Sequence, residues 1–329
     1  MNPLLRVQDM CIDFHTADGV VRAVDRVSLD VKAGQMLGIV GESGSGKSAL
    51  WLGALGLLPH NGRVSEGRAE YLGSNLLELP ERAKARLRGK EIAMIFQDPL
   101  TALNPIRRIG KQIAETIRVH EGVAEAEARS RTLGVLKEVG IRNPERVADQ
   151  YPHELSGGMC QRAMIGMAIA CRPQLLVADE PSTALDVTIQ AQIINLLLHL
   201  KISLDMAIVL ITHDLGVVAA AADEVAVMYS GRLVERADTK ALFTRPSHPY
   251  TAALLQALPR TGARDTRLGS IPGQIPGAFD RLAGCRFAPR CSHAVPRCSA
   301  EEPPLRREDD GRYSLCHLPA FAGVMEAKP

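Results

Sequence analysis

No uninterrupted apolar run of about 18 residues occurs in the chain, so no stretch of it reads as a bilayer-spanning helix. The nearest approach, Met206 to Met228, carries His213, Asp214, Asp223 and Glu224, and ionisable groups at that density exclude a span. A basic segment followed by an apolar one, the mark of a secretory leader, is missing from the first residues. The expectation is a chain that stays in the cytosol and meets any membrane by docking onto something that spans it. Net charge is almost absent, since 39 Lys and Arg against 37 Asp and Glu leave +2. That balance supplies no broad basic footprint for nucleic acid. No internal repeat at a period of about 20–50 residues is visible, which sets aside repeat architectures.

What is present is ordinary globular material, 46% apolar and 23% charged over 329 residues. At about 150 residues per domain this length suits two domains. Residues 4 to 40 read as strands and turns, with Thr16-Ala17-Asp18-Gly19 as a turn signal and strand-like runs at Val20–Val24 and Val27–Val31. Met36–Val40 is a short apolar run of the kind buried on both faces, and a helix is expected over Lys47–Leu58. Further strands are expected at Glu91–Phe96, Leu175–Ala178 and Ala207–Ile211, with a helix near Thr188–Leu200 and a hairpin turning at Tyr229-Ser230-Gly231. Between Asn104 and Arg172 the spacing turns helical, with Ile106, Ile109, Ile113 and Ile117 at three- and four-residue steps. Strands alternating with helices predict an α/β fold on a mainly parallel sheet, with the helical block near 104–172 inserted. After Leu258 the composition shifts to Pro, Gly, Arg and Cys. The division expected is a domain over 1–258 and an extension over 259–329.

Gly41-Glu42-Ser43-Gly44-Ser45-Gly46-Lys47-Ser48 matches G-x-x-x-x-G-K-[ST] at every fixed position, with a buried strand before it and a helix after it. Glycines let backbone N–H groups turn inward around a polyphosphate, and the helix N-terminus adds partial positive charge. Lys47 suits the β- and γ-phosphates, and the Ser48 hydroxyl suits Mg²⁺. The run Leu175–Ala178 ends in Asp179 and Glu180. Adjacent strand residues point apart, so Asp179 is assigned to the Mg²⁺ shell and Glu180 to the attacking water. Alone, such a pair is commonly a solvated strand end. Gln97 and His213 each follow a strand, where an α/β fold opens its ligand crevice. Asp214, next in sequence, is placed to orient His213.

Seven cysteines are present. Cys11, Cys160 and Cys171 are scattered, whereas Cys285, Cys291, Cys298 and Cys316 cluster with the spacing C-x5-C-x6-C-x17-C. In a reducing compartment clustered cysteines point to a metal or cluster site before disulfides. The spacing leaves an iron–sulfur cluster, zinc and free thiols all open.

Leu155-Ser156-Gly157-Gly158-Met159-Cys160-Gln161-Arg162 resembles the signature of ATP-binding cassette (ABC) ATPases. The order along the chain also resembles that family: phosphate loop, Gln97, signature, Asp179-Glu180, Ser182-Thr183-Ala184-Leu185-Asp186, then His213. The resemblance covers residues 4 to 258. It implies a RecA-like core with an N-terminal antiparallel β subdomain and an inserted helical subdomain. It also implies a head-to-tail pair of cassettes, with each ATP held between one phosphate loop and the partner's Ser156, Gly157 and Gly158. Glu180, His213 and Lys47 become the expected catalytic residues. The expected nucleotide contacts are Gly41–Ser48, Gln97, Ser156, Gly157, Gly158 and Asp186, with Phe14 stacking on the base. Ser48, Gln97 and Asp179 become the expected Mg²⁺ ligands. Cys160 departs from the family's Gln or Arg and removes a donor from the contact between subunits.

Phe96-Gln97-Asp98-Pro99-Leu100-Thr101-Ala102-Leu103-Asn104-Pro105, Thr183–Gln190 and Ser247-His248-Pro249-Tyr250-Thr251 are similar to segments of the dipeptide/oligopeptide importer ATPases. That resemblance implies a second, homologous ATPase subunit, two transmembrane permeases, an extracytoplasmic solute-binding protein acting indirectly, and a place on the cytoplasmic face of the inner membrane. Nickel, glutathione or another small solute is the alternative cargo. Gly284–Cys291 resembles the family's tail, which implies a [4Fe–4S] cluster on Cys285, Cys291, Cys298 and Cys316, with zinc as the alternative. Arg286, Arg290 and Arg297 are expected to be solvated or paired within that tail. Two further readings compete: a soluble ABC ATPase acting on DNA or ribosomes, and a redox or iron sensor.

Overall fold

A computed structural model gives the structure of the protein and describes residues 3–182, 186–258, 271–277, 282–307 and 311–318. Its strands are β1 (Leu5–Thr16), β2 (Gly19–Val31), β3 (Met36–Val40), β4 (Gly62–Tyr71), β5 (Ser74–Asn75), β6 (Ile92–Ile95), β7 (Leu175–Asp179), β8 (Ala207–Ile211), β9 (Glu224–Tyr229), β10 (Arg232–Asp238), β11 (Leu305–Arg307) and β12 (Tyr313–Leu315). The chain divides into two compact units. The first holds Met1–Leu4, Val31–Met36 and Glu78–Ile211, and the second holds Leu5–Asp30, Leu37–Leu77 and Thr212–Pro329.

In the first unit β6, β7 and β8 pair in parallel, with Ile92 opposite Leu175 and Leu175 opposite Ala207. Every residue of β7 and β8 is buried, as expected for strands covered on both faces. The helical block contains Ile109–Glu121, Glu125–Glu138, Pro144–Ala148 and Gly157–Ile169. Ile109, Gln112, Ile113 and Ile117 form the buried stripe of its first helix, the three- and four-residue steps of an amphipathic helix.

In the second unit β3 and β9 are parallel, while β9, β10, β12 and β11 follow one another antiparallel. A smaller antiparallel sheet has the order β2-β1-β4-β5. The expected hairpin is β9–β10. Tyr229 pairs with Arg232, and both turn residues have positive φ, Ser230 at 45° and Gly231 at 80°. A two-residue turn of that form matches the right-handed twist of the strands it joins. The two short runs expected after Gly19 are one continuous strand, β2. Strand β4 was not expected, because its outer residues alternate poorly and most are exposed.

The extension is built into this second unit. Strand β12 pairs with β10 at Glu235–Ser314 and Arg236–Tyr313. Phe287 is buried among Val40, Val225, Val227, Tyr229 and Tyr250. The rings of Tyr229, Tyr250 and Phe287 lie 4.6–5.3 Å apart in tilted and edge-on pairs, each such pair contributing about 0.5–1.5 kcal/mol beyond the area it buries.

Candidate functional site

The phosphate loop is assembled as expected between β3 and a helix over Lys47–Ala54, which is shorter than the sequence pattern predicted. Gly46, the residue before that helix, has φ +92°, and Gly44 has φ +77°, conformations that cost an L side chain. Lys47 is buried, and its Nζ donates to the carbonyls of Gly41 at 2.8 Å and Glu42 at 3.0 Å. An ammonium held this way is poised over the loop, where backbone carbonyls occupy it until an anion does. Ser43 and Gly44 are exposed and line an open pocket with Val20, Val21, Arg22 and Arg286. Phe14 is not among the residues lining it. Its ring lies over its cross-strand partner Gly62, where a Cβ would come within 2.8 Å of the ring.

In the first unit β7 delivers Asp179, which is buried, and Glu180, which follows with φ 45°. The N–H of Glu180 donates to the Ile211 carbonyl at 2.9 Å, which holds this unusual turn in place. Gln97 is brought to the same place, its Nε2 donating to Oε2 of Glu180 at 3.2 Å. The segment after Gln97 is fastened by Gln112. That side chain is buried, accepts from the Asn104 N–H at 2.8 Å, and donates to the carbonyls of Asn104 and Arg107 at 3.0 and 2.8 Å. Nothing in the sequence marks this fastening, because Gln112 reads there as one more residue of a helical stripe.

The signature helix runs over Gly157–Ile169, with Ser156 at its N-cap position and exposed. The Ser156 carbonyl accepts from Met159 and Cys160 N–H, both at 2.9 Å. Cys160 lies on the inner face of that helix. It is fully buried, and its thiol donates to the Pro152 carbonyl at 3.2 Å. The expected loss of a donor from a subunit contact is therefore replaced by a packed core thiol. Asp186 is exposed and caps the helix Val187–Ser203. Thr183, Ala184 and Leu185, between it and Ser182, lie outside the described residues.

His213 is exposed in the second unit. The Oδ1 of Asp214 accepts from the Gly216 and Val217 N–H groups at 2.8 and 3.2 Å, so Asp214 is the N-cap of the helix that follows rather than only a neighbour of His213.

The four clustered cysteines line one small pocket, together with His248, Phe287 and His317. All are free thiols. Burial raises the Cys285 thiol to about 11 and pushes Cys291 and Cys316 up as well. Among the described residues no three His, Cys, Asp or Glu side chains stand in a ligating arrangement. The tail arginines do not stay within the tail. Arg297 pairs with Glu301 at 2.7 Å, but Arg286 pairs with Asp25 and the Ser230 carbonyl, and Arg290 pairs with Glu42. Among the described residues no helix is long and apolar enough to cross a membrane.

Comparison with known proteins places this geometry. The family described as ABC transporter matches residues 24–183, and the one described as the oligopeptide/dipeptide transporter C-terminal region matches residues 234–298. The dipeptide transport ATP-binding protein DppD of Escherichia coli K12 is 53% identical over 316 residues, covering 96% of this chain and 97% of that protein. The oligopeptide transport ATP-binding protein OppD of Salmonella typhimurium is 47% identical over 318 residues, covering 97% and 94%. A dimeric ATP-binding cassette bound to ADP and Pi in a post-hydrolysis state superposes with a TM-score of 0.65 at 25% identity, covering 71% of this chain and 98% of that one. A cassette of the cbiONQ transporter complex of Clostridium perfringens does so with a TM-score of 0.63 at 27% identity, covering 74% and 91%. The chain is an ATP-binding cassette ATPase and belongs to the dipeptide/oligopeptide importer family.

Proposed function

We propose that the chain is one of two ATPase subunits that drive uptake of di- or oligopeptides through a pair of membrane permeases. The observation that carries this is the identity to DppD over 96% of the chain, cassette and extension together. The chain would work as a peripheral subunit on the cytoplasmic face of the inner membrane, with a solute-binding protein acting on the far side. Nickel, glutathione or another small solute, the alternative cargo, is not favoured by these relatives.

In this reading Gly41–Ser48 wrap the triphosphate, and Lys47 exchanges its carbonyl partners for β- and γ-phosphate oxygens. Ser156, Gly157 and Gly158 present the start of a helix to the γ-phosphate bound by the partner cassette. Glu180 accepts the proton of the attacking water, and His213 senses the same phosphate. Ser48, Gln97 and Asp179 each carry an oxygen of the kind Mg²⁺ takes, and Mg²⁺ held by them would neutralise charge on the phosphates. The Gln97–Glu180 hydrogen bond ties the general base to the loop after Gln97. Phe96, just before Gln97, and Ile106 within that loop are exposed (42% and 82%), apolar side chains suited to a permease helix docking there. Loss of γ-phosphate contacts lets the two cassettes part, which is how hydrolysis moves the permeases.

Residues 259–329 are proposed as the extension that carries a [4Fe–4S] cluster, with zinc as the alternative. Cys285, Cys291, Cys298 and Cys316 line the same pocket, which is what supports this donor set, and the thiols would have to draw closer to share one cluster. A cluster there would cross-link four stretches of the tail.

Glu180→Gln tests the assignment in the assembled transporter. ATP binding should stay within about threefold of wild type while turnover falls by at least about 100-fold, and ATP should hold the cassettes together through gel filtration. Normal turnover would remove Glu180 from the mechanism.

A further inference from the structure

The loop bearing two of the cysteines also grips the phosphate loop. Arg290 lies between Cys285 and Cys291, and its side chain is only 5% exposed. Its Nη1 and Nη2 donate to Oε2 and Oε1 of Glu42 at 2.7 and 3.1 Å, a bidentate pair. The same guanidinium donates to the Pro272 carbonyl at 3.0 Å and to Tyr229 Oη at 3.3 Å. Glu42 is held at its backbone too, its N–H donating to Tyr250 Oη at 2.9 Å. Both anchors lie outside the loop, 208 and 248 positions away in sequence.

Glu42 matters to its neighbours through its carbonyl. That oxygen accepts from Lys47 Nζ at 3.0 Å and from the Ser45 N–H at 3.2 Å. A shift of Glu42 therefore moves the ammonium that meets the phosphates and the turn whose N–H groups cradle them. A nest of donors works only when it is set before the anion arrives.

We propose that Arg290 is a positioning residue for ATP binding: through its bidentate grip on Glu42 the cysteine-bearing extension sets the shape of the phosphate loop, and with it the affinity for nucleotide. The proposal rests on the ATPase assignment and is independent of what fills the four-thiol pocket.

The test uses the full-length chain assembled with its partner subunits. Arg290→Ala, Arg290→Lys, Glu42→Gln and the double variant Glu42→Ala/Arg290→Ala are compared with wild type and Glu42→Ala. The readouts are Kd for a fluorescent ATP analogue, KM and kcat for ATP, and iron and zinc content. Arg290→Ala should raise Kd and KM about tenfold, which is about 1.4 kcal/mol, with kcat at saturation within about twofold. Arg290→Lys should recover part of this, because an ammonium reaches one carboxylate oxygen where the guanidinium reaches two. The double variant should lose no more than about twofold beyond either single one, as partners in one contact do. Unchanged Kd in Arg290→Ala, losses that multiply in the double variant, or a fall in kcat with KM unchanged would each overturn the proposal. Should Arg290→Ala fail to fold, Glu42→Gln decides alone. It keeps the shape of the loop residue and removes its charge, so an unaltered Kd there overturns the proposal as well.

Discussion

Gly44 and Gly46 form a matched pair in which backbone strain and steric clash separate. Both adopt φ in the left-handed region, +77° and +92°, so alanine at either position costs about 1–2 kcal/mol for its Cβ alone. At Gly44 a Cβ meets nothing within 4 Å, and the cost ends there. At Gly46 a Cβ would lie 2.4 Å from the Ala23 carbonyl oxygen and 3.3 Å from Val24 Cγ2. Comfortable carbon–oxygen contact begins at about 3.3 Å, so β2 or the loop must retreat by roughly 0.9 Å. Forcing atoms into a packed site adds about 1–3 kcal/mol. Gly44→Ala should thus cost about 1–2 kcal/mol of stability, and Gly46→Ala about 2–5. The assay is thermal melting of the nucleotide-free chain, which keeps any clash with bound ATP out of the comparison. At about 2–4 °C per kcal/mol, Gly46→Ala should melt at least about 2 °C below Gly44→Ala. Equal melting temperatures, or a lower one for Gly44→Ala, would refute the steric part of the reasoning.

Cys160→Ala should leave ATP turnover within about twofold, since the thiol points into the helical block, and should cost about 1 kcal/mol for the lost bond to Pro152; a large fall in turnover with unchanged melting would contradict this. Glu235 accepts from the Ser247 and His248 N–H groups, yet burial raises its carboxyl from 4.5 to about 7. The folded chain therefore holds that proton more tightly than the unfolded one, and stability from this group is fullest below about pH 4.5 and lost as pH rises to about 7. His248 opposes it, because burial lowers it from 6.5 to about 4, so its stability is lost as pH falls through that window. Glu235→Gln should then gain on wild type in stability between pH 5 and pH 8, by up to about 3 kcal/mol, followed by thermal melting; a difference that does not vary with pH would refute the assignment. Cys285→Ser should lower the metal content of the purified chain. Because burial favours the protonated thiols at Cys285, Cys291 and Cys316, metal retention in wild type should also fall as pH is lowered, read by elemental analysis after dialysis. Full metal content in Cys285→Ser would remove that residue from the ligand set.

Much of this protein was legible along the chain because its chemistry is local. The phosphate loop needs eight consecutive residues between a buried strand and a helix, and that pattern survives without any tertiary knowledge. The same is true of the acidic end of β7, where four apolar residues run straight into Asp179 and Glu180, and of the stripe at Ile109, Ile113 and Ile117. Strand β4 escaped notice because it is mostly exposed, so no apolar alternation marks it. The place of the Phe14 ring over Gly62 comes from cross-strand register, which the sequence near the first strand does not spell out.

What the amino-acid order determined by itself is the set of residues that meet ATP and the elements that carry them, since each is fixed by periodicity, turn chemistry and spacing over a few residues. What only the tertiary structure decided is what those residues lean on. Glu42 is gripped by Tyr250 and Arg290, Gln97 is bonded to Glu180 across 83 positions, and Cys160 faces inward to Pro152. A hydrogen bond between residues that far apart leaves no period in the sequence. It exists because buried polar groups must find partners wherever the fold brings them.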